Sequence, residues 1–184
     1  PDSTIDEWQE YPDLLDDRSH LRPRYGSVVL RSVGKVVLVD TGLQVSPGGG
    51  LLLDMRRLGI SEESVDLVVI THLHPDHVGW NLTDGRPTFP NARYLVPRKD
   101  WEYWTQPSAL EEAAHVRTQV IPLNELSIMD LIDDDYNITD ELTTIPTPGH
   151  TPGHVSIVIS SAGERGLVLG DAAHTPAQAH YTDW

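Results

Sequence analysis

At 184 residues and 39% hydrophobic, the chain is long enough to bury one sizeable core, and nothing in it suggests a second domain. Its 28 acidic against 13 basic residues, only two of them lysines, give a net charge of −15, which argues against a nucleic-acid or anionic-membrane surface. The absence of cysteine excludes disulfides and thiolate ligands, and no apolar run approaches the roughly 20 residues of a membrane-spanning helix.

Residues 1–25 read as an N-terminal extension or loop. Gly26–Ser32 and Lys35–Val39 flank Val33-Gly34 and are expected to form a hairpin whose second strand delivers Asp40 at its end. Asp40 admits two roles: an acceptor that orients a ligand histidine, or a turn cap using Asp-Thr-Gly. Pro47-Gly48-Gly49-Gly50 reads as a flexible turn before a short helix, Leu51 to Leu58, closed by Gly59. Ser61 to Ser64 leads into a buried strand over Asp66 to Thr71, and the strand, helix, strand order points to packed αβ layers.

Arg93–Pro97 is a further predicted strand, followed by an aromatic helix from Lys99 to Thr105 that carries Trp101, Tyr103 and Trp104. Ser108 is expected to cap a helix running to about Thr118. Leu142–Ile145 reads as a strand, after which Pro146 and Pro148 keep the chain extended and glycines let it turn, so that His150 sits on a rigid loop. His154 opens the alternating segment Val155–Ile159 and is expected beside the core. Leu167–Leu169 reads as a short buried strand with Asp171 at its end.

The chemistry concentrates in Thr71-His72-Leu73-His74-Pro75-Asp76-His77-Val78-Gly79, directly after Val68-Val69-Ile70. On an extended backbone His72 and His74 project to one side while Leu73 points away, so two imidazoles converge on one ion. Pro75 delays the following helix, whose first turn presents Asp76 and His77 toward a second ion. Neutral imidazole and carboxylate suit zinc, and also iron or manganese. A solvated histidine-rich turn is the alternative.

His72-Leu73-His74-Pro75-Asp76-His77 resembles the HxHxDH signature of the metallo-β-lactamase fold superfamily, whose members are mostly two-metal hydrolases. Val39-Asp40-Thr41-Gly42, Thr147-Pro148-Gly149-His150-Thr151-Pro152-Gly153-His154 and Leu169-Gly170-Asp171 resemble further motifs of that superfamily in the same order. The resemblance covers roughly residues 26 to 176 and implies an α/β fold, a four-layer αββα sandwich formed as one domain over residues 1–184. It implies a first ion at His72, His74 and His150, a second at Asp76 and His77, and Asp171 between them, with two zinc ions the expected cofactor. The family's last ligand histidine and its opening strand have no match, so the sequence is expected to be incomplete at both ends.

The implied reaction is hydrolysis of an ester or lactone by hydroxide generated at the metal pair, and the TPGHTPGH and GDAAH segments resemble the lactonase and esterase branch. An acyl-homoserine-lactone-type substrate leads. An organophosphate or aryl ester follows, because His174 stands where many lactone-cleaving relatives carry tyrosine. His174 and Asp76 are the candidate catalytic groups, the first to polarise the scissile bond or protonate a leaving alkoxide, the second to orient the attacking water. Trp101 and Trp104 either wall an apolar pocket or cover the core. Other classes are a mononuclear-iron sulfur dioxygenase and a non-catalytic binding module. The expected partner is a small molecule, with neither nucleic acid nor membrane, in the cytoplasm unless a signal peptide precedes Pro1, and oligomerisation is left open. His20, His115 and His180 read as surface residues.

Overall fold

The computed structural model describes residues 3–21, 25–44 and 50–182, which fall into two units, one of residues 25–172 and a smaller one drawn from 1–24 and 173–184. The expected turn at Pro47–Gly49 lies outside the described residues. In the larger unit β1 (Val28–Ser32) and β2 (Lys35–Val39) pair antiparallel in the predicted hairpin. Val33 and Gly34 make the turn at φ 50° and 76°, the paired left-handed geometry that matches strand twist in two-residue hairpins.

β3 (Leu67–Val69), β6 (Arg93–Pro97) and β7 (Met129–Ile132) add in parallel, giving the five-stranded order β1-β2-β3-β6-β7. Parallel neighbours require crossovers. Between β2 and β3 runs α2 (Leu51–Arg57), and between β6 and β7 run α4 (Arg98–Trp104), α5 (Pro107–Glu112), α6 (Ala114–Gln119) and α7 (Ile121–Glu125). Between β3 and β6 lie the single turn α3 (Pro75–Val78) and the small hairpin of β4 (Leu82–Thr83) with β5 (Arg86–Pro87). A second, antiparallel sheet has the order β10-β9-β8, from β8 (Leu142–Pro146), β9 (Val155–Ser161) and β10 (Glu164–Val168).

Alternation along the strands divides the core in two. Val36, Leu38, Val68, Ile70, Tyr94 and Val96 face the helical side with Met55, Val116 and Leu123, while Val37, Val39, Val69 and Leu95 face Leu142 and Ile157 of the second sheet. Helices, five-stranded sheet and three-stranded sheet therefore stack in three layers, the mixed α/β class expected, and among the described residues no helical layer covers the three-stranded sheet to complete the expected four. Full burial of each such side chain contributes roughly 1.5–3 kcal/mol.

Two expectations need correction. Pro107, with its fixed φ and no N–H to lose, opens α5 one residue before Ser108, which lies inside the first turn with Gln106 as the N-cap. The helix also breaks at Ala113 (φ −94°, ψ 66°) before α6 begins, a bend that leaves Ala113 and Val116 both buried. Leu167–Leu169 is not a buried strand: among the described residues β10 lies at the edge of its sheet and pairs only with β9, and Leu167 and Leu169 are 49% and 44% exposed. The smaller unit holds α1 (Ile5–Trp8), capped by a reciprocal Thr4–Glu7 box, and among the described residues no helix is long and apolar enough to cross a membrane.

Val33 is a β-branched residue in left-handed backbone, an unfavourable combination. Val33→Asn is expected to raise unfolding free energy by about 0.5–1 kcal/mol, read as a higher urea midpoint at unchanged slope.

Candidate metal centre

The site lies where both sheets end. From β3 the chain continues extended to His74, which N-caps α3 at φ −80° and ψ 157°, and Pro75 takes the first helical position. Leu73 is fully buried on the helical side of the core, so its two neighbours turn the other way. His72 Nε2 lies 3.1 Å from His74 Nδ1, and His74 Nδ1 lies 2.9 Å from His150 Nε2, delivered by the loop between β8 and β9. Nitrogens about 2.0–2.1 Å from one tetrahedral ion stand roughly 3.3 Å apart, so this donor set and its spacing fit a single cation.

A second group joins His72, His77 and Asp171, with His77 Nε2 3.3 Å from one Asp171 oxygen. The other Asp171 oxygen lies 3.3 Å from His150 Nε2. Asp171 thus offers one oxygen to each group. Asp76 sits one step further out, 3.6 Å from His77 Nε2, and belongs to neither of the close groups. His174 is exposed in the smaller unit, where its amide donates to Gln178 Oε1 at 2.6 Å.

Buried neighbours fix which nitrogen of the His72 and His77 rings faces the site. Asp40, at φ 58°, accepts the Thr71 amide at 2.7 Å, the Thr71 hydroxyl at 2.8 Å and His77 Nδ1–H at 2.8 Å. Because the Thr71 hydroxyl donates to Asp40, it accepts from His72 Nδ1–H at 3.1 Å, which leaves His72 Nε2 as a lone-pair donor toward the site. The orienting role of Asp40 is therefore the one its contacts support.

His154 is buried, and its Nε2 accepts the Asp171 amide at 2.9 Å. The opposite nitrogen, Nδ1–H, donates to the Thr147 hydroxyl at 2.8 Å. That hydroxyl passes its own proton to Ser156 Oγ at 3.0 Å, and Ser156 donates to the Leu169 carbonyl at 2.8 Å. One directed chain of bonds ties the His150 loop to the segment that presents Asp171.

Electrostatics follow from this crowding. Burial, then the neighbouring His77 and His74, push the His72 imidazole far below its usual range, and burial followed by His150 lowers His74. Burial also works to lower His77, but the hydrogen bonds its ring gives to Asp171 and Asp40 outweigh it and raise the group to about 10. Burial lowers His154 and His115 as well.

His115 is the histidine placed wrongly by sequence. It is half-buried, its Nε2–H donates to the Leu73 carbonyl at 2.8 Å, and its ring lies 5.7 Å from that of Trp104. α6 turns His115 under the His72-Leu73-His74 loop, a packing no local pattern records. Trp101 and Trp104 pack against the core, and Trp104 also sets its ring edge-on to His74 at 5.6 Å. Sequence reasoning gave no role to Asp100, Thr71, Thr147 or Ser156; Thr71 and Thr147 carried a signal, each as the hydroxyl that opens a histidine motif.

The profile of the Metallo-beta-lactamase superfamily matches residues 23–183. N-acyl homoserine lactonase AttM of Rhizobium radiobacter is 35% identical over 131 residues, covering 68% of this chain and 48% of that protein. N-acyl homoserine lactonase AiiA of Bacillus thuringiensis subsp. kurstaki is 28% identical over 122 residues, 66% of this chain and 44% of its own length. The chain spans about half the length of the curated relatives it matches. Among solved structures, hydrolase AbOPH of the beta lactamase superfamily superposes with a TM-score of 0.83 at 25% identity, over 92% of this chain and 62% of that one. AidC, a dizinc quorum-quenching lactonase, superposes with a TM-score of 0.65 at 22% identity over 77% of this chain and 54% of its own, a likeness of fold.

The lowered histidines set a sign for pH dependence. His72, His74, His115 and His154 resist protonation when folded but take up protons near 6.5 when unfolded, so the unfolded state gains protons as pH falls below that value. His77, raised to about 10, is already protonated when folded and gains its proton near 6.5 when unfolded, so it opposes this slope, but as one group against four. Metal-free protein is expected to lose stability steadily from pH 6.5 to 5, seen as a falling urea midpoint in chelator; a flat profile contradicts this.

Proposed function

The chain belongs to the metallo-beta-lactamase superfamily, and on that footing we propose that it is a metal-dependent hydrolase that opens a neutral lactone or ester, with an N-acyl-homoserine-lactone-type substrate foremost. The observation that carries this reading is Asp171, which turns one carboxylate oxygen to His77 and the other to His150. In this reading His72, His74 and His150 would hold one ion and Asp76 and His77 the other, with Asp171 available to both. Zinc suits these donors. When bound, the ions supply acidified water near neutral pH and polarise the substrate's carbonyl oxygen.

The chain's own residues have distinct tasks. Asp40 keeps His77 Nδ1 protonated and its Nε2 aimed at Asp171, and Thr71 does the corresponding service for His72. Asp76 orients the attacking water or accepts its proton, a role limited by its place among the ligands. His174, three residues beyond Asp171 in sequence, is proposed to protonate the departing alkoxide. In the net reaction water adds across the acyl C–O bond, giving a carboxylate, an alcohol and one released proton.

A net charge of −15 disfavours anionic substrates and suits a neutral one. The N-acyl homoserine lactonases at 35% and 28% identity support the substrate class. Cleavage of an organophosphate or aryl ester is the second reading, favoured by the histidine at position 174. A cytoplasmic location belongs to the same proposal.

Metal analysis with intact mass is expected to find about two zinc ions per chain, whereas one iron supports the oxidative alternative. His150→Ala and Asp171→Asn are each expected to lower lactone hydrolysis by about 100-fold or more, beyond the 10- to 100-fold cost of altering groups that only support a bound ion. Unchanged hydrolysis in both variants sinks the dinuclear assignment. His174→Ala is expected to lose activity partially with metal retained, and a panel of lactones, aryl esters and organophosphates separates the two substrate readings.

A further inference from the structure

Asp100 has no part in the ligand set, yet it is fully buried and touches both loops that carry ligand histidines. As the third residue of α4 it stands where β6 runs out beside β3. Its Oδ2 accepts the Leu73 N–H at 2.8 Å, and its Oδ1 accepts the Gly153 N–H at 2.7 Å. Leu73 separates His72 from His74, and Gly153 follows His150 by three residues. A single rigid carboxylate therefore joins the end of the five-stranded sheet to the loop entering β9 of the other sheet.

Two further features show that this contact is tightly specified. A Cβ on Gly153 would stand 2.3 Å from the Asp100 backbone nitrogen and 2.9 Å from Oδ1, so only glycine permits so close an approach. On the other side of Leu73, His115 Nε2–H donates to the carbonyl at 2.8 Å, and the Leu73 side chain is itself fully buried. The peptide between the two histidines is thus gripped at its N–H, its carbonyl and its side chain. Bonds to an ionised acceptor are the strong kind, and their direction is set by the acceptor's geometry.

We infer that Asp100 is a positioning residue for the first ion: it fixes the separation of the His72–His74 pair from His150 by holding one main-chain amide in each loop. This rests on the metal-site reading above. His115 completes the grip from the opposite side.

The test is a zinc titration of the full chain by competition with a chromophoric chelator, with His150→Ala defining which binding step belongs to the first ion. Asp100→Asn presents an amide where a second acceptor is needed, and it is expected to weaken that step by about 10- to 100-fold while leaving far-UV circular dichroism unchanged. A purely structural role predicts a lower melting temperature with zinc affinity intact, and a folded Asp100→Asn whose first-ion affinity is within twofold of the unchanged chain overturns the inference alone. No zinc uptake by the unchanged chain overturns the metal reading together with it. Should Asp100→Asn fail to fold, amide hydrogen exchange on the unchanged chain decides: Leu73 and Gly153 are expected among the slowly exchanging amides, and exchange at the rate of exposed loop amides overturns the clamp.

Discussion

Imidazole nitrogens 2.9 and 3.1 Å apart repel one another if each points a lone pair at the same spot, unless a cation stands between them. A proton can relieve one pair. Three nitrogens with a carboxylate oxygen 3.3 Å away suit a multivalent cation, and the buried surroundings intensify both the repulsion and its relief. The fold holds these groups together against that tendency. Its means are the oriented bonds around Asp40, Thr71, His154 and Asp100.

Each of these bonds acts on main chain or on the far side of a ring and leaves the inward-facing atoms uncommitted. Asp40 addresses the Thr71 amide and His77 Nδ1, His154 the Asp171 amide, Asp100 two amides on separate loops. Satisfied buried networks of this kind are stiff, and losing one member exposes the rest to an unpaired partner at a cost of about 1–3 kcal/mol per group. Stiffness here serves geometry: donors held to within a fraction of an ångström need little rearrangement when a cation arrives.

Much of this was legible in the sequence because local rules govern it. Alternation in Lys35–Val39 and the apolar run before His72 set the strands, and extended backbone between His72 and His74 put both rings on one side. Asp40, Asp171 and His154 each follow or begin a strand, so their nearness to the site was readable too. What stayed hidden depends on tertiary approach. Nothing near Asp100 announces that its carboxylate reaches residue 153, 53 positions on, and His115 joins the site only because α6 packs beneath Leu73. The burial of Leu167 and Leu169 was misjudged for a related reason: a short apolar strand looks the same whether it lies at the centre or the edge of a sheet.

The placement of the donors in two sheets also bears on assembly. His72 and His150 are 78 residues apart, so their focus appears only after β3, β6 and the β8–β9 pair have taken their places, contacts whose closure is slow in chains of this topology. A slip of one residue along β3 would reverse His72 and His74 together, since side chains alternate with period two. A cation captured at this focus would therefore inspect strand register: it would bind the correctly threaded chain in preference to its near neighbours, and so proofread the fold that made it.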